Sequence, residues 1–367
     1  MVKDPMRLRG CFQLLFLYDV AEAIDLELLQ GLLGSRGGPV ERPFPRRTPQ
    51  YVRFEHIPIV EPAEPLIIDG TTTSCSVKYY GFGVMSVQVE VPFDGDWEFL
   101  ITQNSRWMDA ADVSTHVQQL ARQHLTRVQP AITRSNADWL QEIYLVTQIH
   151  EIDDGHGSPP TASELLASYG QEIVQVVRGE TEPLASKACE ETLKASLSYY
   201  TRDLVVVGSY AAVVFDSAEG AAAASQVLEF AKMQLLEFRY YDRLMTRVLA
   251  DFYDTLERKR NILLSRWSLP RDAQRFNTVR LDVMELTERI DNAIKFVSDI
   301  YYARIYQLAA TRVGVPDYRV LVEEKLNTAG DLYDFMVDQF NESRSFFLEV
   351  CIAILTVLDV IFWLRLK

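Results

Sequence analysis

The 367-residue chain offers several groups of side chains that could do chemistry, and each is incomplete. Glu237, Tyr240, Tyr241 and Asp242 form the best cluster. Glu237 and Tyr241 lie one helical turn apart, and a carboxylate of raised pKa in a closed site there could carry a proton. Four polar residues on one helix more usually form an interface. Residues 150–160 read HEIDDGHGSPP, so His150, Glu151, Asp153, Asp154 and His156 are potential metal ligands. HExxH spacing is absent, and an acidic solvated loop explains them more simply, so neither metal nor cofactor is expected. Arg36, Arg42, Arg46 and Arg47 crowd a Pro- and Gly-rich stretch that could grip phosphate, but solvation suffices to explain them. Gly81-Phe82-Gly83 lacks the remainder of a GxGxxG loop and reads as a kink in a strand. No GxSxG surrounds Ser209. No catalytic residue is assigned.

The bulk numbers bound the rest. Hydrophobic residues make up 48% and charged residues 24%, a globular composition with room for two ordinary domains. The net charge of −14 disfavours nucleic acid as a partner. Cys11, Cys75, Cys189 and Cys351 are scattered, which suits reduced thiols in a cytoplasmic setting rather than a disulfide framework.

Which elements would hold these residues? Residues 9–18 read as a strand and 21–33 as a helix stopped by Gly34. Residues 51–60, 74–91 and 139–149 read as strands, 94–125 as largely helical and 162–177 as a helix. Residues 203–216 read as a hairpin turning near Gly208-Ser209. Strands alternating with helices predict an α+β head of ferredoxin-like type over residues 1–216.

From Ser217 onward strand signals vanish. Leu228, Ala231, Leu235, Phe238, Met245, Leu249, Phe252 and Leu256 recur at three- and four-residue spacing. Asp242 falls on that stripe and would need a partner if buried, with Arg239 or Arg243 nearest in sequence. Further stripes run through Ile290, Ile294, Val297, Tyr301 and Ile305, then through Leu326, Met336 and Phe340. They predict a coiled-coil hairpin within a helical stalk over residues 217–345.

The second arm of that hairpin runs into residues 346–364, FFLEVCIAILTVLDVIFWL. Only Glu349, Thr356 and Asp359 are polar among these 19. As a helix the segment would be roughly 28 Å long, close to a bilayer's hydrocarbon thickness. Its Leu, Ile, Val and Phe residues outweigh the acids by a thin margin on the insertion scale. The expectation is a single transmembrane helix over residues 346–367, with the bulk cytoplasmic and lipid as a partner. Glu349, Thr356 and Asp359 share one face, which reads as a helix-association stripe.

The end of the chain resembles the required-for-meiotic-nuclear-division/Sad1-interacting-factor family, a domain of unknown function. The resemblance rests on Asn341-Glu342-Ser343-Arg344, then Leu348-Glu349, then an apolar segment with Asp359. Lys325-Leu326-Asn327 and Asp331-Leu332-Tyr333 match its coiled-coil pattern, while residues 312–318 replace its aromatic run. The resemblance implies an oligomeric membrane protein. The expected function is therefore a homo-oligomeric, membrane-anchored scaffold or adaptor without catalysis, bound to itself and to a protein partner. The alternatives are an enzyme with its site between the head and the central helix, and an RNA- or ribosome-tethering adaptor acting through Arg42, Arg46, Arg47 and Arg53.

Overall fold

Long, strongly apolar strands decide the architecture. The computed structural model describes residues 6–39, 58–68, 70–153, 160–258, 278–281, 283–284 and 300–365. In chain order they form β1 (Arg7–Ile24), α1 (Leu26–Leu33), β2 (Gly38–Pro39), β3 (Ile59–Ala63), β4 (Ile67–Ile68), β5 (Thr71–Thr72), β6 (Ser74–Tyr79) and β7 (Val84–Gly95). Next come α2 (Trp97–Met108), α3 (Ala111–Arg127), β8 (Ile132–Asp153), α4 (Ala162–Arg178), α5 (Ser186–Leu193), β9 (Ser196–Leu197), β10 (Leu204–Val207) and β11 (Ala211–Phe215). The order ends with α6 (Ala218–Arg258), α7 (Ile300–Val313) and α8 (Val315–Arg365).

The main sheet has nine strands among the described residues, in the order β2-β3-β6-β7-β1-β8-β11-β10-β9. β1 is flanked on both sides by long antiparallel partners. Its register runs from Leu8 opposite Gly95 to Asp19 opposite Val84, and from Arg7 opposite Asp153 to Ile24 opposite Ile132. Among the described residues only β8 and β11 pair in parallel, Ala211 opposite Leu145. β8 and β11 are joined through α4, α5, β9 and β10, a crossover of the length that a parallel pairing needs.

This sheet corrects the ferredoxin-like expectation. A ferredoxin-like head has fewer strands, and the sequence hid several. β2, β4, β5 and β9 are two residues each, too short for a periodic signal. The segment read as one kinked strand over residues 74–91 is two strands, β6 and β7, joined by a turn. Gly83 makes that turn at φ +89, and a Cβ there would lie 1.8 Å from the Ala21 carbonyl oxygen. Only glycine fits.

The two faces of the sheet differ. One carries Phe12, Leu14, Phe16, Val87, Val89, Leu145 and Val213, packed in one apolar cluster with Leu100, Trp107, Val117, Leu120, Ile173 and Val176 of α2, α3 and α4. Residues between them in the strands point the other way. That face carries Gln13, Asp19, Lys78, Ser86, Gln88, Glu142 and Gln148, all buried, and α6 lies over it. Local signals agree with the helices. Asp25 caps α1, Asp96 caps α2, and Thr161 with Glu164 forms a capping box on α4.

The chain divides into two units, Met1–Tyr240 with Glu288–Tyr318, and Tyr241–Thr287 with Arg319–Lys367. The second is helical in its described residues. Met245, Val248 and Phe252 of α6, Val279, Val283, and Val322 and Ala329 of α8 are its buried apolar side chains. Asp242, on the predicted stripe, pairs with Lys325 Nζ at 2.5 Å rather than with a neighbouring arginine. Gly314, at φ +90, separates α7 from α8.

The membrane expectation is also corrected. Among the described residues no helix is long and apolar enough to cross a membrane. Residues 346–364 belong instead to the 51-residue α8, which begins at Val315. The favourable insertion sum was already thin, because Glu349 and Asp359 fall within the stretch and a central acid costs about 2.5–3.5 kcal/mol. The expected coiled-coil hairpin ending in a transmembrane helix and the single-pass location are withdrawn with it.

Candidate functional site

The face of the sheet under α6 holds the densest polar chemistry. The N-terminal half of α6 is buried almost all round, including Ser225, Glu229, Lys232 and Gln234. A buried charge is tolerated only when paired and hydrogen-bonded, and the sheet supplies the partners. Gln148 Nε2 donates to Ser225 Oγ at 2.8 Å and to Gln13 Oε1 at 3.1 Å. Lys78 Nζ donates to Glu229 Oε2 at 2.7 Å, and Ser86 Oγ donates to Glu229 Oε1 at 2.5 Å. β6 and β7 place Lys78 and Ser86 directly opposite one another. This triad is charge-balanced and closed.

A second group differs. Lys232 Nζ donates to Glu142 Oε2 at 2.6 Å, and the Arg239 guanidinium meets the other Glu142 oxygen. Lys232 lies 5.6 Å from the centre of the Tyr144 ring and 6.0 Å from that of Tyr210. Tyr144 is fixed by donating its hydroxyl to the Gly208 carbonyl at 3.0 Å. Burial pushes the Lys232 ammonium down to about 8. Asp19 lies on the same face, opposite Leu140, two residues along β8 from Glu142. Burial pushes its carboxyl up to about 7 against a hydrogen bond from Asn136, and its Oδ2 has no partner. A β-bulge follows Asp19 in the β1–β8 ladder. Bulges of this kind often re-aim side chains.

On the opposite face a third group joins β3, β6 and α3. Glu61 Oε1 accepts from Tyr79 Oη at 2.6 Å and lies 2.7 Å from His124 Nδ1, and Arg127 Nη2 reaches both carboxylate oxygens at 2.6 Å. A carboxylate cannot donate, so Nδ1 carries the proton toward Glu61. The 2.9 Å approach of Arg127 to Nδ1 is then two donors converging on one oxygen. Burial alone would raise the Glu61 carboxyl, but the His124 and Tyr79 hydrogen bonds and the neighbouring positive charge hold it below the usual carboxylate range. With its lone pairs satisfied, Glu61 pins α3 to the sheet.

The residues singled out from sequence are scattered by comparison. Glu237 and Tyr241 are half-buried on α6, each with an interaction partner, and Asp242 pairs with Lys325. Tyr301 and Ile305 are buried in α7, and Leu326 is half-buried in α8. Ile290, Ile294 and Val297 lie outside the described residues, as do the side chains of Met336, Phe340, Glu349 and Asp359. Thr356 is exposed and donates to its own helix at Ile352 O. Within the acidic loop, His150 bonds Gln148 and Glu151 pairs with Arg9, whereas Asp154 and His156 lie outside the described residues. Arg42, Arg46, Arg47 and Arg53 lie outside them too. Ser209 donates to the Arg312 carbonyl.

Glu142 and Lys232 went unread, and Arg239 was read only as a possible partner of Asp242. One signal was available: Glu229 and Lys232 sit beside Leu228, Ala231 and Leu235, so charge lies on the buried stripe of α6. Glu142 gives no comparable signal until β8 is seen to reach from Ile132 to Asp153.

No solved structure matches the chain. An archaeal relative, the uncharacterized protein MJ0711 of Methanocaldococcus jannaschii, is 21% identical over 230 residues, which is 63% of this chain and 68% of that protein. The family model described as the N-terminal domain of uncharacterized protein MJ0711 matches residues 9–222, from β1 into the start of α6. That match takes in the whole nine-stranded sheet apart from the first two residues of β1, and the chain belongs to the MJ0711 N-terminal-domain family.

Proposed function

We propose that the protein is a homo-oligomeric scaffold or adaptor that assembles through α8 and binds a further protein through its α/β unit. The supporting observation is the apolar surface near the end of α8. Ile352, Ile354, Leu355 and Leu358 are all exposed there. Thr356, in their midst, spends its hydroxyl hydrogen on Ile352 O. Contiguous apolar surface of this kind marks an interaction site. A second copy is the occupant we favour, because it brings the same stripe in the same helix and can bury both at once about a two-fold axis. The resemblance to the required-for-meiotic-nuclear-division/Sad1-interacting-factor family, which implies oligomers, points the same way.

Mass photometry of the full chain tests this reading. The expected result is a dimer or larger species, converted to monomer by Ile352→Glu with Leu355→Glu. A monomeric wild-type chain at micromolar concentration overturns it.

A further inference from the structure

The Lys232 cluster is organised unlike an ordinary buried ion pair. Lys78 and Glu229 balance one charge with another and are closed by Ser86. At Glu142 one carboxylate faces two cations, Lys232 and Arg239. The cluster thus keeps a surplus positive charge in a chain of net charge −14. The Lys232 side chain is only 2% exposed, but its surroundings reach solvent. The Arg239 side chain is 41% exposed and Tyr210, in the β10–β11 turn, is 69% exposed. A desolvated lysine beside a second cation is the setting that makes an amine nucleophilic near neutral pH, and the lowered titration of Lys232 agrees with it.

We infer that Lys232 is the amine nucleophile of a site for a small oxo acid, with Arg239 holding the ligand's carboxylate and Glu142 receiving the lysine's proton. The chemistry closes without oxidant or reductant. Glu142 takes a proton from the Lys232 ammonium. The freed lone pair adds to the carbonyl carbon, and the C=O π pair moves to oxygen, which is protonated from the attacking nitrogen. Glu142 returns its proton to the new hydroxyl, water leaves, and a C=N bond to protonated nitrogen remains. Arg239 suits the carboxylate because a guanidinium makes paired hydrogen bonds to it. The inference does not rest on self-association of α8.

The test uses the full-length chain with glyoxylate and cyanoborohydride, read by intact mass and peptide mapping. Lys232 should carry the reduced adduct sooner than the exposed lysines Lys187 and Lys194. Arg239→Gln should slow glyoxylate labelling of Lys232 by about tenfold more than its labelling by uncharged formaldehyde, the worth of one charge-assisted hydrogen bond, because both labels share any change in the amine and only glyoxylate needs the guanidinium. Glu142 stays paired with Lys232 in that variant. The wild-type peptide map decides the matter even if the variant fails to fold. Adducts on the exposed lysines with Lys232 unmodified would overturn the inference, leaving a structural ion pair. Equal loss of both labels in a folded Arg239→Gln chain would overturn the role of Arg239.

Discussion

On one side of β1, Phe12, Leu14 and Phe16 sit among leucines, valines and tryptophans of α2, α3 and α4. On the other side of the same strand, Gln13 and Asp19 sit in a layer that includes Lys78, Glu142, Glu229 and Lys232. Both sides are dry, but they are held by different forces. The first side is stabilised by removing apolar area from water, at about 25 cal/mol per Å². The second must match each charge with a partner, since a lone buried charge costs several kcal/mol. Apolar packing tolerates many sequences of the right volume, whereas a charged layer works only with its full set of partners. Replacing a buried pair by apolar residues is often neutral or stabilising. A layer so dense in charge is therefore better explained by function or specificity than by stability.

This contrast can be tested by substitution. Phe16→Ala on the apolar side should cost about 3–5 kcal/mol in urea unfolding, as loss of a buried aromatic does. Glu229→Ala on the charged side should cost a similar 3–5 kcal/mol, because Lys78 is left buried and unpaired. The second loss should be largely recovered in the double variant Lys78→Met with Glu229→Met. Failure of that recovery would mean that the pair itself stabilises the fold.

A smaller effect should appear with pH. The Asp19 carboxyl is raised from 3.8 to about 7 by burial, so the folded state holds a proton that the unfolded chain releases. Its contribution is full below about pH 4 and is lost as pH rises through about 7. Unfolding by urea at pH 5 and pH 8 should therefore show a decline of up to about 3 kcal/mol from this group. Asp19→Asn should flatten that decline, and an unchanged slope would place the titration elsewhere.

How much of this was legible in the sequence depends on which side of the sheet is considered. The apolar run 9–18 announces a strand, and Thr161 with Glu164 announces the start of α4. The hairpin around Gly208 stands where the apolar residues and the turn predict it. The charged layer is illegible for a physical reason. Lys78, Glu142 and Glu229 are far apart in sequence, and a charge reads as solvent-facing until its partner is known. The two-residue strands carry no period, so the count of strands was missed. The C-terminal stripe misled because apolar periodicity in a helix reads alike whether the helix faces lipid or protein.

Titration of the Lys232 side chain, followed by carbon-13 NMR of labelled lysine and assigned with Lys232→Arg, reports most directly on whether the α6-facing layer is dry and chemically poised. The structure predicts a midpoint at about 8, lowered from 10.5 by burial. A midpoint at the ordinary lysine value would contradict it, showing Lys232 to be either solvated or fully compensated by Glu142.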